Sequence, residues 1–506
     1  MTKQSLIKGT IILTVAAFIT KLLGFANGIM LANILGPEGV GLMMMAMPIV
    51  GLLFTLTTLG LPLAISKLVA EAEIREDKLR VKKILIVSLT TIGLLSIVVM
   101  IATFFCANFL SSILLTDKRA YYSFLAVIPM VPIVAISAVF KGYFRGKQNM
   151  TPIASSQVFE QVITIGFIFI LVQGLLPYGI EFATAGAVLG SVIGEIFSLF
   201  YILLLFKKEK DKNFTLGNSF IRHARNGKKI FTDLLQTGLP TTGDGLILSI
   251  IGMAMPVLIT QSLSIAGVET PLATKQFGIL VGYAAPLILL PGFVTHSLSV
   301  PLVPVISEAH EKKDHLLIHR SIQQAIRIGL IVGVPWTIIV YLFAEPLTTL
   351  IYKSPEAAIF VKIMAPFFLL HYFHAPLQAV LIGLGKAKAV MFNNLVSSVI
   401  TLPIIFILTS NPTFEIKGVA IAMNVGVVLG TLLHLITVSK LIGFNLNLLD
   451  FVKVLLSGML MGCGGLIIYR SIGNTNPVFQ LGSALMLSLL IYLLFLASFK
   501  SKAFNN

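Results

Sequence analysis

The sequence predicts an all-α polytopic membrane protein, with fourteen transmembrane helices in two pseudo-symmetric lobes. Three observations predict it: the composition, the recurrence of apolar runs, and an internal repeat near 237 residues. Of 506 residues, 56% are hydrophobic and 11% charged, with a mean hydropathy of +0.95. A soluble domain carries about a quarter of its residues as charges. A helix needs about 20 mostly apolar residues to cross a bilayer, and runs of that length fill the chain with only short polar breaks. No stretch is left for a sizeable soluble domain. Cys106 and Cys463 lie inside apolar runs and fit neither a metal spacing nor a disulfide framework.

Span one, 9–35, is too long for a signal-peptide core and has no small-residue cleavage pattern. It contains ITKLLGFANGIMLANILGPEGVG, with Lys21 deep inside and Gly24, Asn27, Gly28 and Asn33 after it. A lysine in hydrocarbon is expensive, so it either faces a cavity or partner, or snorkels to the surface; its depth favours the cavity. Span two, 40–66, carries Pro62, a candidate hinge. Spans three and four, 84–113 and 122–140, lead into GYFRGKQNM at 142–150. That stretch is no phosphate loop: three residues, not four, separate its glycines, and Gln148 follows Lys147 where Ser or Thr would be needed. It reads as a cytoplasmic turn held inside by Lys141, Arg145 and Lys147, with glycines allowing the tight turn. Spans five and six, 151–174 and 183–206, bring in Glu160 and Glu195, paired or protonated in the first bundle, with ion or proton coupling as the sharper reading.

A basic stretch at 207–230 then joins the two halves. Span seven, 231–262, contains TGLPTTGDGLIL, where Pro240, Gly243 and Gly245 should interrupt the helix and place Asp244 at the break. Broken helices point to transporter sites, although a kinked packing helix is the plainer alternative. Span eight, 278–306, holds Pro291, Pro301 and Pro304, with His296 near mid-span; such prolines make static kinks or hinges. HEKKDHLLIHR, before span nine (321–344), puts His315 and His319 at i, i+4, but without an apolar shell it reads as a solvated turn and no metal is assigned. Span ten, 358–384, sets His371 and His374 on one face, as hydrogen-bonded packing residues or a proton relay. Spans eleven and twelve, 389–410 and 418–439, complete the second lobe, and 449–469 with 478–498 form an additional pair. The domains are therefore 1–206, a linker at 207–230, 231–439, and 440–506.

With both termini cytoplasmic, inside segments carry 28 of the 37 Lys and Arg. The outside loops hold six: Lys118, Arg119, Lys275, Lys353, Lys417 and Arg470. That asymmetry sets the orientation and explains most of the net charge of +16 without nucleic-acid binding. Glu71-Ala72 and Glu308-Ala309 lie 237 apart, as do Val162-Ile163 and Val399-Ile400; Gly146-Lys147 and Gly385-Lys386 lie 239 apart. Matching loops on the same side imply a parallel repeat about the membrane normal, which suits a transporter binding its cargo near the midplane; chance matches between apolar segments are the alternative.

The stretches TKLLGFAN with ANILGPEGVG, GLPLAISKLVAEA, LLTDKRAYY, GYFRGKQNM, PTTGDG, IAGVETPLATKQFG and APFFLLHYF together resemble the polysaccharide and lipid-oligosaccharide branch of the MOP exporter superfamily. Within it they are most similar to the stage V sporulation protein B group, relatives of MurJ-type lipid II flippases. The resemblance implies a fourteen-helix MOP/MATE-like fold in the bacterial cytoplasmic membrane. It implies a flippase, not an enzyme and without a cofactor, for a polyprenyl-diphosphate-linked sugar such as lipid II for spore cortex. Its partners would be that substrate, membrane lipids and cell-wall synthesis proteins, with no nucleic acid. Helices one, two, seven and eight would line a cationic cavity, making Lys21, Asn27, Asn33, Asp244 and His296 substrate-binding candidates, and the last two helices would form a groove for a lipid tail. Relatives commonly carry arginine at the positions of Asn27 and Asn33, and charged residues at Gly28 and Gly245, so this cavity is less cationic. A MATE-like exporter of cationic drugs, served by Asp244, Glu160 and Glu195, and a flippase for another lipid-linked precursor are the alternatives. A membrane-embedded transferase would need a polar catalytic cluster that the short outside loops lack.

Overall fold

The computed structural model describes residues 6–209, 228–444, 448–473 and 476–498, which carry no strand. Thirteen helical stretches are long and apolar enough to cross a membrane. The first, Ile11–Thr58, has 48 residues, roughly 72 Å of helix against a hydrocarbon core of about 30 Å. It makes two crossings, so the expected fourteen are present. The break is at Gly36 (φ 66°, ψ −179°) within α1 (Leu6–Thr58). Only glycine reaches that backbone region at little cost, and Pro37 behind it has no N–H to continue the ladder.

After α1, Leu59 and Gly60 both take positive φ, and α2 (Leu61–Ile74) starts with Pro62 in its first turn. A proline there forfeits no helical bond. α3 (Lys78–Phe105), α4 (Ala107–Leu114), α5 (Tyr121–Val127), α6 (Met130–Gly146), α7 (Thr151–Leu175) and α8 (Ile180–Glu209) follow. α9 (Lys228–Ile265) is helical throughout, including the stretch where a break was expected; a membrane helix can continue through proline when neighbours satisfy the freed carbonyl. The side chains of Pro240, Gly243 and Asp244 lie outside the described residues, as does 210–227 of the basic linker.

Span eight begins earlier than hydropathy suggests. α10 (Thr270–Phe277) is too polar to register as apolar, yet its backbone closes on α1, where a Cβ on Gly41 would clash with the Thr274 carbonyl oxygen. A π-helical turn (Gly278–Ala284), α11 (Ala285–Leu289) and α12 (Gly292–Glu311) complete it, with Pro291 capping α12 and Pro301 and Pro304 inside it. Pro291 leaves the Leu287 carbonyl without its i+4 donor. The Trp336 indole N–H donates to that oxygen at 3.0 Å, and the Tyr372 hydroxyl donates to the Ile288 carbonyl at 2.7 Å. The break at Pro291 is thus satisfied by side chains. α13 (His315–Leu342), α14 (Ala344–Tyr352), α15 (Ala357–Phe368), α16 (His371–Gly383), α17 (Ala387–Thr409), α18 (Ile416–Ile442), α19 (Leu448–Ser471) and α20 (Pro477–Ser498) finish the chain.

The packing forms two compact units, Met1–Gln261 with Thr270–Gly278, and Ser262–Glu269 with Ile279–Asn506. In the first, Ile65, Val69, Ile84, Leu85, Tyr143 and Phe144 belong to one buried apolar cluster. The GYFRG segment is not a turn. Gly142 and Gly146 are in the last turns of α6, where a Cβ would come within 2.8 Å of the Pro62 carbonyl and 2.7 Å of the Ser66 carbonyl. They are small residues permitting helix contact, as in other small-xxx-small pairs. The turn proper follows, with Gln148 at φ 55°.

The repeat has matching backbone details. Glu76 and Lys313 have φ of 55° and 56°, and Gln148 and Gly385 have 55° and 72°. Asp77 caps α3 by accepting from Arg80 N at 2.8 Å, and Asp314 caps α13 by accepting from Leu317 N at 2.9 Å. All three pairs are 237 apart, so Gly385 corresponds to Gln148 and the counterpart of Gly146 is Gly383.

Candidate functional site

Lys21 is in the first crossing of α1, exposed, and makes no ion pair with any described residue. At 100° per residue, Gly24 and Gly28 share its face. A Cβ on either glycine would meet nothing within 4 Å. The lysine therefore stands over an open strip of bare backbone. Asn27 and Asn33 are each about 120° around the helix from it. Asn27 Oδ1 is buried with no hydrogen-bond partner, while the exposed Asn33 donates to the Ile29 carbonyl at 2.9 Å. The three candidates on α1 thus point in different directions. His296, on α12 of the second unit, is exposed; Asp244 lies outside the described side chains.

The second leg of α1 and α9 meet through small and hydroxyl-bearing residues. Thr55 Oγ1 and Ser249 Oγ are 3.0 Å apart, Ser249 donates to the Gly51 carbonyl at 3.4 Å, and Gly245 faces Thr55. Gly238 lies against the Leu59 carbonyl, where a Cβ would come within 2.6 Å. Gly245 here allows close packing.

At one end of the same unit, a polar clamp joins α1, the segment before α5, and α10. Arg119 pairs with Glu38 at 2.7 Å and with Asp117 at 2.8 Å, and Thr274 donates to Asp117 at 2.9 Å. Asp117 is 4% exposed. Burial alone would raise its carboxyl, but hydrogen bonds from the Arg119 side chain and backbone and from Thr274 outweigh it and hold the group below the usual aspartate value.

Glu160 and Glu195, expected to pair, are brought together, and Lys141 joins them. Its Nζ is 3.5 Å from Glu195 Oε1 and 3.8 Å from Glu160 Oε2. Sequence reading placed Lys141 in a turn; the helical GYFRG segment instead turns it into the bundle. In the second unit, His371 and His374 stack with ring centroids 5.9 Å apart, and His374 meets His434 at 4.7 Å. Gln378 Nε2 lies 3.0 Å from His374 Nε2, 3.2 Å from Asn394 Oδ1 and 3.3 Å from His434 Nε2. Asn393 Nδ2 is 3.1 Å from His434 Nδ1 and donates to Thr437 at 3.1 Å. The histidine pair thus belongs to a larger network whose other members were not singled out. His319 Nδ1 lies 2.7 Å from the His315 carbonyl, and among the described residues no three metal-type side chains converge.

A family model described as polysaccharide biosynthesis protein matches residues 6–310, and a MatE model matches 280–407. The chain is 44% identical over 504 residues to stage V sporulation protein B of Bacillus subtilis (strain 168), covering 99% of this chain and 96% of the relative. It is 22% identical over 467 residues to lipid II flippase MurJ of the same organism, covering 88% and 85%. A solved structure of lipid II flippase MurJ in an inward closed conformation superposes with a TM-score of 0.68 at 16% identity, covering 97% of this chain and 98% of that one. That likeness is one of fold.

Proposed function

From the premise that the chain belongs to the polysaccharide biosynthesis protein family, we propose that it flips a polyprenyl-diphosphate-linked sugar across the cytoplasmic membrane by alternating access, with lipid II for spore cortex as the cargo. The observation that carries this is Lys21, an exposed lysine in the middle of a crossing, above the open face of Gly24 and Gly28. A diphosphate needs a positive, wet surface, and bare glycine backbone admits a bulky head group close to the helix. Asn27, Asn33, Asp244 and His296 are further candidate contacts for the cargo. The lipid tail stays in the bilayer, with the additional pair at 440–506 as its groove. Residues 1–206 and 231–439 are the transport lobes, the termini are cytoplasmic, and cell-wall synthesis proteins are partners. No ATP is needed: moving two negative charges outward is favourable by about 4 to 5 kcal/mol per 100 mV in an inside-negative cell.

The MatE match favours a second reading, a cation-coupled drug exporter. A cationic drug would need free carboxylates, whereas Glu160 and Glu195 are paired with Lys141. Transport of labelled lipid II by purified protein in vesicles tests the first reading. Transport of a cationic dye with no lipid II movement would replace it with the second.

A further inference from the structure

We propose that Lys141, Glu160 and Glu195 form a partly buried binding site for one proton, shared by the two carboxyl groups. The three side chains come from α6, α7 and α8. Glu195 is 4% exposed, and the distances of 3.5 and 3.8 Å put one ammonium between two carboxyls. With both carboxyls ionised, the cluster is one positive charge short of balance inside a membrane protein, where an uncompensated charge is costly. Among the described residues no further charged side chain pairs with these three. One turn earlier on the same face of α6 as Lys141, the fully buried Ser137 has an unpartnered hydroxyl.

The internal repeat isolates what is special here. The positions 237 residues after Lys141 and Glu160 are Gln378 and Ser397. Gly194 and Gly430 mark the register of the last helix: a Cβ on Gly194 would meet the Glu160 carbonyl, and one on Gly430 the Ser397 hydroxyl. The counterpart of Glu195 is then Thr431. The second unit thus holds the same three helices together with uncharged groups, so the fold does not require the charged set. A proton completes the charged set, giving one ammonium, one carboxylate and one neutral acid.

The test is infrared difference spectroscopy of the full chain in lipid nanodiscs, without cargo, between about pH 9 and about pH 5. A protonated-carboxyl carbonyl band should appear reversibly and be lost in both Glu160→Gln and Glu195→Gln. In Lys141→Met the band should persist to a pH about one to three units higher, since the ammonium favours the ionised pair; this variant decides the matter if the glutamine variants fail to fold. A band unchanged in all three variants overturns the proposal. A band erased at fixed pH by exchanging potassium for sodium also overturns it, in favour of a metal cation. Because no cargo is present, failure here leaves the flipping reading intact, and failure to flip lipid II leaves the proton site intact.

Discussion

Gly146 of α6 and Gly383 of α16 occupy the same place in two copies of one helix contact. A Cβ on Gly146 would come 2.7 Å from the Ser66 carbonyl oxygen and 2.7 Å from Val69 Cβ. On Gly383 it would come 2.9 Å from the Val303 carbonyl oxygen and 2.8 Å from Ile306 Cβ. All three members of the second set follow those of the first by 237 residues. Both contacts hold a helix against the element that follows a proline-marked break, at Pro62 in one case and Pro291 in the other.

Replacing Gly146 or Gly383 by Val should therefore destabilise the protein by about 1 to 3 kcal/mol each, because backbone and β-carbons have to separate. Gly24→Ala and Gly28→Ala should leave stability unchanged or slightly raised, since their Cβ meets open space and alanine favours helix. Melting temperatures of the four variants in one detergent check the contrast. Equal losses at all four positions would count against the packing assignment.

Trp336 should be needed for its N–H as well as its bulk. Trp336→Phe leaves the Leu287 carbonyl without its donor and should cost about 1 to 3 kcal/mol. Thermal unfolding of that variant reads the loss. A melting temperature equal to that of the parent chain would mean that the Pro291 break needs no such partner.

Asp117 gives a pH dependence of known sign. Its carboxyl is held below the ordinary value, so it contributes stability that is full above that ordinary value, about 3.9, and lost as pH falls through the folded one. Asp117→Asn should melt below the parent at pH 7, with the gap closing toward pH 3. A gap that is constant with pH would exclude the ionised form as the source.

Lys21→Ala should abolish or strongly reduce flipping at matched membrane levels, Lys21→Arg should keep substantial activity, and Lys21→Glu should be inactive. A lysine-to-phosphate contact near 4 Å contributes a few kcal/mol before desolvation at an effective dielectric near 20. Lys21→Met keeps the stem without the charge; full activity in that variant would show that the charge is not used.

Orientation is open to direct measurement. In a chain lacking Cys106 and Cys463, cysteines at Lys118 and Lys417 should react with an impermeant reagent in sealed cells, whereas those at Arg145 and Lys386 should not. Labelling of either of the latter would reverse the inside-outside assignment.

Most of the crossings were legible because burial in lipid demands long apolar runs, and that demand is written along the chain. What was misread follows from the same logic. The start of span eight was placed too late, because α10 is held by close backbone contact with α1 rather than by apolarity. GYFRG looked like a turn because two glycines and basic residues resemble one, and only the carbonyls of Pro62 and Ser66 reveal what the glycines are for. Glu160 and Glu195 stood out as acids in apolar runs, but Lys141 was hidden among the basic residues used to set orientation. His434 and Asn393 come from two other helices and share no local motif with His374, and Gln378, one turn after His374 on α16, shows its role only once packing brings those helices together.

The segment Thr270–Gly278 packs with the first unit although the residues on both sides of it pack with the second, and α9 up to Gln261 also belongs to the first. A cut in the basic stretch at 210–227 would therefore not separate the protein into two self-sufficient pieces. The N-terminal piece would lack two helices of its own packing, and the C-terminal piece would carry them with no surface to receive them. Each fragment would complete its fold only by taking up the other, so the two should be recovered together when co-expressed and poorly when expressed alone.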